Sequence, residues 1–241
     1  RLSGYISATG SAGTLAAGDY LREKFPSLKV VCSEALQCPT LLMNGFGGHR
    51  IEGIGDKHVP WIHNVKNTNA VAAIDDEQTL RILRLFNDHE GHKWLTQLGV
   101  TKEEINKLSY LGISSICNLL SAIKLSKYFE YNEDDVIFTV FTDSVELYNS
   151  RLNEMNINWG KYSERQAEVD WTSIFKYQGV DYFKELSYND KKAIHNLKYF
   201  TWVEQQGKSV DELNAQWYDE NYWKERFSIV YKWDEMIKDF N

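Results

Sequence analysis

Gly10-Ser11-Ala12-Gly13-Thr14 is a run of five small residues, two of which carry hydroxyls. A short apolar stretch, Tyr5-Ile6-Ser7-Ala8, precedes it, and a helix-like segment, Leu15 to Lys24, follows. A strand, a tight small-residue loop and a helix N-terminus together make an anion site. Small residues let backbone N–H groups approach a phosphate, and the helix dipole favours its charge. The same pattern also serves as a plain turn. Three further segments have chemical potential. Ile51-Glu52-Gly53-Ile54-Gly55, with Val59-Pro60 after it, leaves backbone open to a ligand or simply turns. Gly112-Ile113-Ser114-Ser115 starts a helix, and Thr142-Asp143-Ser144-Val145 ends an apolar strand. Ser144 fits an N-cap for a helix through Leu152, with Asp143 as the other candidate cap.

Several elements must position these segments. Strands are expected at 5–8, 30–33 and 136–141. The last, Val136 to Phe141, is almost wholly apolar, which predicts a central parallel strand covered on both faces. Residues 39–65 lack periodicity and read as a long, functional loop region. Asp75-Asp76-Glu77 starts a helix carrying Leu80, Leu83 and Phe86 or Asn87. Thr101 caps a short helix with Glu104 as its capping-box partner. A helix from about Ser115 to Tyr128 suits burial over much of its surface. The strands separated by helices predict an α/β three-layer sandwich with a mostly parallel sheet.

From Asn156 the composition shifts, and six of the eight tryptophans lie beyond it. Ile194, Leu197, Phe200 and Val203 form one helical stripe that Gly207 ends. Ser209 and Glu212 form a capping box for the next helix. The chain thus divides into an α/β domain, 1–155, and an aromatic-rich helical extension, 156–241.

The chain has 241 residues, 43% of them hydrophobic, and a net charge of −7. That suffices for a real core. It argues against nucleic acid as a main partner, since phosphate backbones need clustered Lys and Arg. No apolar run approaches the roughly 20 residues that cross a bilayer. No membrane partner and a cytoplasmic setting are therefore expected. Cys32, Cys38 and Cys117 are an odd, scattered set and read as reduced, buried thiols. His89 and His92 could share a helix face, but Gly91 is expected to end the helix there, and no third ligand is evident, so no metal is expected. His49, His58 and His63 flank the glycine-rich loop and are candidates for acid–base work. His195 reads as structural. The chain starts at Arg1, a few residues before a buried-looking strand, which suggests an upstream part.

In order, the four segments resemble those of the fold-type II (tryptophan synthase β-like) pyridoxal-phosphate enzymes, nearest to cysteine synthase and cystathionine β-synthase. Residues 10–14 resemble the family's Gly-Thr-Gly-Gly-Thr phosphate loop, 51–60 its EGIG…(I/V)P segment, 112–115 its GISSG helix start, and 142–145 the PDSV of cystathionine β-synthases. The resemblance covers roughly residues 4–152 and implies pyridoxal 5'-phosphate as cofactor. Gly10, Ser11, Ala12, Gly13 and Thr14 would bind its phosphate, with Ser11 and Thr14 as the hydroxyls. Gly53 would leave room for it, and Ser144 would face the pyridine nitrogen. A neutral hydroxyl there weakens the electron sink and favours β-elimination and β-replacement on a small amino-acid substrate. The family also implies a homodimer.

Four departures stand out. The family's Schiff-base lysine and substrate-carboxylate loop lie upstream of the phosphate loop, so the resemblance places them outside this chain, in a missing N-terminal half or a partner chain. Lys57 gives no reason to replace that lysine. Ser11-Ala12 stand where the family has Thr-Gly, and a Cβ restricts the backbone. His92 to Leu111 is an insertion, and Thr142 replaces a proline. Threonine synthase-like, ammonia-lyase or thiolase-type chemistry, and a non-catalytic binding or assembly module, remain the alternatives.

Overall fold

The computed structural model describes residues 1–240. Five strands form one sheet in the order β4-β1-β2-β3-β5. β1 (Leu2–Ala8), β2 (Lys29–Ala35), β3 (Ala70–Ile74) and β4 (Val136–Thr139) run parallel, and β5 (Phe183–Glu185) pairs antiparallel with β3. Helix α1 (Gly13–Lys24) crosses from β1 to β2. One turn of helix, α2 (Thr40–Met43), follows β2. Between β3 and β4 run α3 (Asp76–Asn87), α4 (His89–Gln97), α5 (Lys102–Lys107) and α6 (Ile113–Tyr128). After β4 come α7 (Asn149–Trp159) and α8 (Glu164–Asp170), then, beyond β5, α9 (Tyr188–Lys198), α10 (Val210–Tyr218) and α11 (Tyr222–Phe240).

Side chains alternate between the two sheet faces, as the period of two requires. Tyr5, Val30, Cys32 and Val71 pack with Leu15 of α1 and Ile194 of α9. Ile6, Val31, Ala70 and Ala72 face the other way, with Leu125 of α6. A larger cluster joins Ile74 to Leu80 and Leu83 of α3 and Ile116 and Leu120 of α6. Helices thus cover both faces, as expected for a three-layer α/β sandwich.

The apolar strand is not central. β4 pairs only with β1, so it forms an edge, and Val136 and Phe138 are half exposed. Its apolar run covers an open side of the sheet. The interior strand that the sequence pattern passed over is β3, buried at every residue. Residues 156–241 are not purely helical either, because β5 extends the sheet. The long loop holds α2 and a 3-10 turn at Val65–Asn67.

Local expectations fare unevenly. Thr101 and Glu104 form the full capping box. Ser209 instead accepts from the backbone of both Asp211 and Glu212, while Glu212 turns to the Tyr222 hydroxyl. Gly91 does not end a helix. It lies inside α4, where a Cβ would meet the Leu85 carbonyl oxygen at 2.0 Å, so close approach of α4 to α3 demands glycine. After α9 the chain widens into a π turn at Tyr199–Gln205. Phe200 is exposed although the stripe predicted it inward, because the buried face runs through Ile194, His195 and Lys198 and Phe200 lies about 200° round the helix from Lys198. The three cysteines are buried and free.

Candidate functional site

The chain leaves β1 for β2 on one side, while β4 lies on the other side of β1. Their crossover helices cover opposite faces, so a crevice opens at the carboxyl ends of β1 and β4. Ligands collect at such switch points in open α/β sheets. A cavity of about 190 Å³ lies there. Ser7, Ala8 and Gly10 to Thr14 line one side, Glu52, Gly53 and Ile54 the mouth, and Ser114, Asn118, Val140, Thr142 and Asp143 the other side. Four segments far apart in sequence thus meet around one space.

Each wall has a local reason. Ala12 adopts a left-handed conformation, φ 68°, at the N-cap of α1 and supplies no side-chain cap. Among the described residues, none of the N–H groups of Gly10 to Thr14 donates to a protein acceptor. Uncapped donors at the positive end of a 12-residue helix attract an anion. The Thr14 hydroxyl lies 2.6 Å from that of Ser7, and the Tyr5 hydroxyl donates to the Thr14 carbonyl at 2.5 Å. These bonds fix the loop to β1. Gly53 and Gly55 have φ values of +81° and +82°, which favour glycine. The Gly55 N–H donates to the Thr9 carbonyl at 2.6 Å, so the glycine-rich segment rests on the anion loop.

The far wall is tightly packed. A Cβ on Gly112 would lie 1.8 Å from Asp143 Oδ1, so only glycine lets the start of α6 meet Asp143. The Gly112 N–H donates to the Asp143 carbonyl at 3.0 Å, and the Tyr148 hydroxyl donates to the Asp143 carboxylate. Burial first, and then that carboxylate, raise the Tyr148 phenol well above its ordinary pKa. The Ser114 and Thr142 hydroxyls lie 3.2 Å apart, and Asn118 Nδ2 donates to the Val140 carbonyl at 3.1 Å.

Gly10, Ser11, Ala12, Gly13, Thr14 and Gly53 all line the cavity. Ser144 does not. It is half-buried and heads the 3-10 turn Val145–Tyr148 without a side-chain cap bond. Ser114, Asn118, Thr142 and Asp143 also line the cavity, beyond the binding residues that the resemblance implies. Asn118 had a readable signal, since it follows Ser114 by one helical turn on the same face of α6.

The histidines divide by environment. His63 is fully buried with its Nε2 2.8 Å from Thr68 Oγ1, and burial, then the charge of Lys198, push its pKa down to about 3. A group held neutral in this way is structural. His195, also buried, bonds the Leu213 carbonyl. His58 packs edge-on against Trp202. His89 is exposed beside Glu90. Among the described residues, no cluster of three His, Cys, Asp or Glu could hold a metal. A larger cleft, about 340 Å³, opens between α3 and α8. Its Arg81 is paired with Asp170, and Arg84 is bound to Asn156 and Gly160.

No family model matches the chain. It is similar to cysteine synthase B of Campylobacter jejuni, 28% identical over 148 residues, covering 61% of this chain and 42% of that protein. It is also similar to the O-acetylserine-dependent cystathionine β-synthase of Bacillus subtilis, 26% identical over 150 residues and covering 61% and 42%. Among solved structures, a hydrogen sulfide-producing enzyme of Fusobacterium nucleatum aligns with a TM-score of 0.50 and 26% identity, over 70% of this chain and 44% of that one. O-acetylserine sulfhydrylase isoform 3 of Entamoeba histolytica, 22% identical, gives a TM-score of 0.54 over 72% and 46%, a likeness of fold. The chain spans about two-fifths of the length of the curated relatives it matches. Its architecture is that of the fold-type II pyridoxal-phosphate enzymes, and its likeness runs to cysteine synthases and cystathionine β-synthases.

Proposed function

We propose that the cavity takes the phosphate of pyridoxal 5'-phosphate, and that the chain is one part of an enzyme performing β-elimination or β-replacement on a small amino acid. One observation carries this reading: residues 10–14, Gly53, Ser114 and Thr142 meet around one cavity at the uncapped start of α1. The loop N–H groups and the Ser11 hydroxyl hold the phosphate. Gly53 leaves room for the ring, and Asn118 and Thr142 bound it opposite. Ser144, one position beyond the cavity lining, is the candidate partner for the ring nitrogen. When bound, the cofactor supplies the electron sink for breaking bonds at the amino-acid Cα. The names of the relatives point to O-acetylserine as the substrate class. A cytoplasmic homodimer completes the reading.

No lysine lines the cavity. The Schiff-base lysine and the substrate-carboxylate loop then come from another polypeptide segment. The unpaired edge of β4, with half-exposed Val136 and Phe138, lies beside the cavity and offers that segment a strand to pair with. The same lack of lysine favours a second reading for the chain by itself, a non-catalytic module that holds a phosphorylated ligand.

Titration with pyridoxal 5'-phosphate and with pyridoxal tests the site. The phosphorylated form should bind at least tenfold tighter, and inorganic phosphate should compete. Equal binding of the two would sink the reading. Borohydride reduction followed by intact mass separates the two roles. A stoichiometric adduct appears only when a lysine-bearing segment is present.

A further inference from the structure

The segment 59–63, a few residues beyond the cavity mouth, is held by α9, the turn after it and α10. Lys198, at the end of α9, is wholly buried. Its Nζ donates to the carbonyls of Trp61 at 3.0 Å and His63 at 2.7 Å, and to Gln216 Oε1 of α10 at 2.7 Å. An ammonium has three N–H donors, and these three acceptors match them. Trp202, in the π turn that follows, donates from Nε1 to the Val59 carbonyl at 2.7 Å. Its ring lies edge-on to His58 at 5.3 Å and near Trp61 at 6.4 Å. Two side chains from one helix thus bind three carbonyls within residues 59–63. Three residues, Asp56 to His58, separate that segment from Gly53 and Ile54, which line the cavity, and Gly55, which bonds Thr9.

We infer that Lys198 and Trp202 are positioning residues for the cavity: by anchoring residues 59–63 they hold the Gly53–Gly55 wall against the Gly10–Thr14 loop. The effect on ligand binding rests on the anion-site reading, whereas the anchoring itself does not. The π turn belongs to this arrangement. Trp202 lies four positions beyond Lys198, a spacing that keeps the two on one face, and π turns recur at functional sites. Neither residue touches the cavity, so both act through the loop.

The test uses the whole chain, with Trp202→Phe and Lys198→Met, and two readouts. Hydrogen exchange at the Gly55 amide reports the contact between wall and loop. Calorimetric titration with inorganic phosphate reports the site. Trp202→Phe keeps an aromatic ring beside His58 and Trp61 and loses the bond to Val59 together with part of the indole surface. It should raise Gly55 exchange at least tenfold while amides of β1–β3 stay unchanged, and weaken phosphate binding about fivefold. Lys198→Met should do the same more strongly. If it fails to fold, Trp202→Phe decides alone. Gly55 exchange equal to the parent in the Trp202 variant overturns the inference. Faster exchange with no phosphate bound by the parent chain would keep the anchoring and remove the anion site.

Discussion

Arg151 Nε reaches Glu52 Oε1 at 2.5 Å, so α7 neutralises an acid on the wall of the proposed anion cavity. A carboxylate beside a phosphate site repels the ligand unless it is paired. Arg151→Ala should weaken inorganic phosphate binding about threefold, and the double variant with Glu52→Gln should restore it. The stability cost should stay below about 1 kcal/mol, because the pair is partly exposed. Calorimetry on the four members of the cycle checks the coupling.

Ser11→Asp separates stability from binding. An acid near the start of α1 complements the helix dipole, worth about 0.5 kcal/mol in favour of folding. The same charge occupies the place of the phosphate. Thermal melting should rise slightly while phosphate and pyridoxal 5'-phosphate affinity fall more than tenfold. Unchanged affinity would contradict the anion site.

Gly112→Ala should destabilise the chain by about 2 kcal/mol or more, since the new methyl meets the Asp143 carboxylate and the backbone behind it. Asp143→Ala in the same chain should recover part of the loss. Urea midpoints of the two variants check this.

Glu34 provides a pH test. Its buried carboxylate accepts the N–H groups of Leu41 at 3.0 Å and Leu42 at 2.9 Å. Burial nonetheless pushes its pKa from 4.5 up to about 7, against the lowering effect of those bonds. Between these values the folded chain holds a proton that the unfolded chain has released. The contribution of Glu34 to stability therefore falls as pH rises from about 5 to 7, by on the order of 3 kcal/mol at most. Glu34→Gln should flatten the fall. Urea unfolding at pH 5 and pH 7 measures the slope.

Much of the site was legible because its chemistry is local. A loop of small residues between a strand and a helix announces itself, and residues 10–14 line a cavity. Capping boxes such as Thr101 with Glu104 need only three residues of context. Less legible was whatever depends on neighbours distant in sequence. Ala70-Val71-Ala72-Ala73-Ile74 contains three alanines, poor strand formers in isolation, yet tight packing between helices on both faces makes it an interior strand. The apolar run of β4 looks central, and only the sheet order shows it at an edge. Ser144 misses the cavity lining by one residue, because the turn after β4 presents Thr142 and Asp143 instead.

The π turn at 199–205 carries a consequence for chain length. A π turn holds one residue more than the α turn it replaces, and one residue is worth about 100° of rotation in a regular helix. Deleting one residue between Lys198 and Trp202 would cut their spacing from four positions to three and turn Trp202 by about 100° away from Val59, with every remaining residue type unchanged. The spacing between Lys198 and Trp202 is therefore as much a determinant as their identities, and a one-residue deletion in this segment should be less tolerated than most substitutions within it.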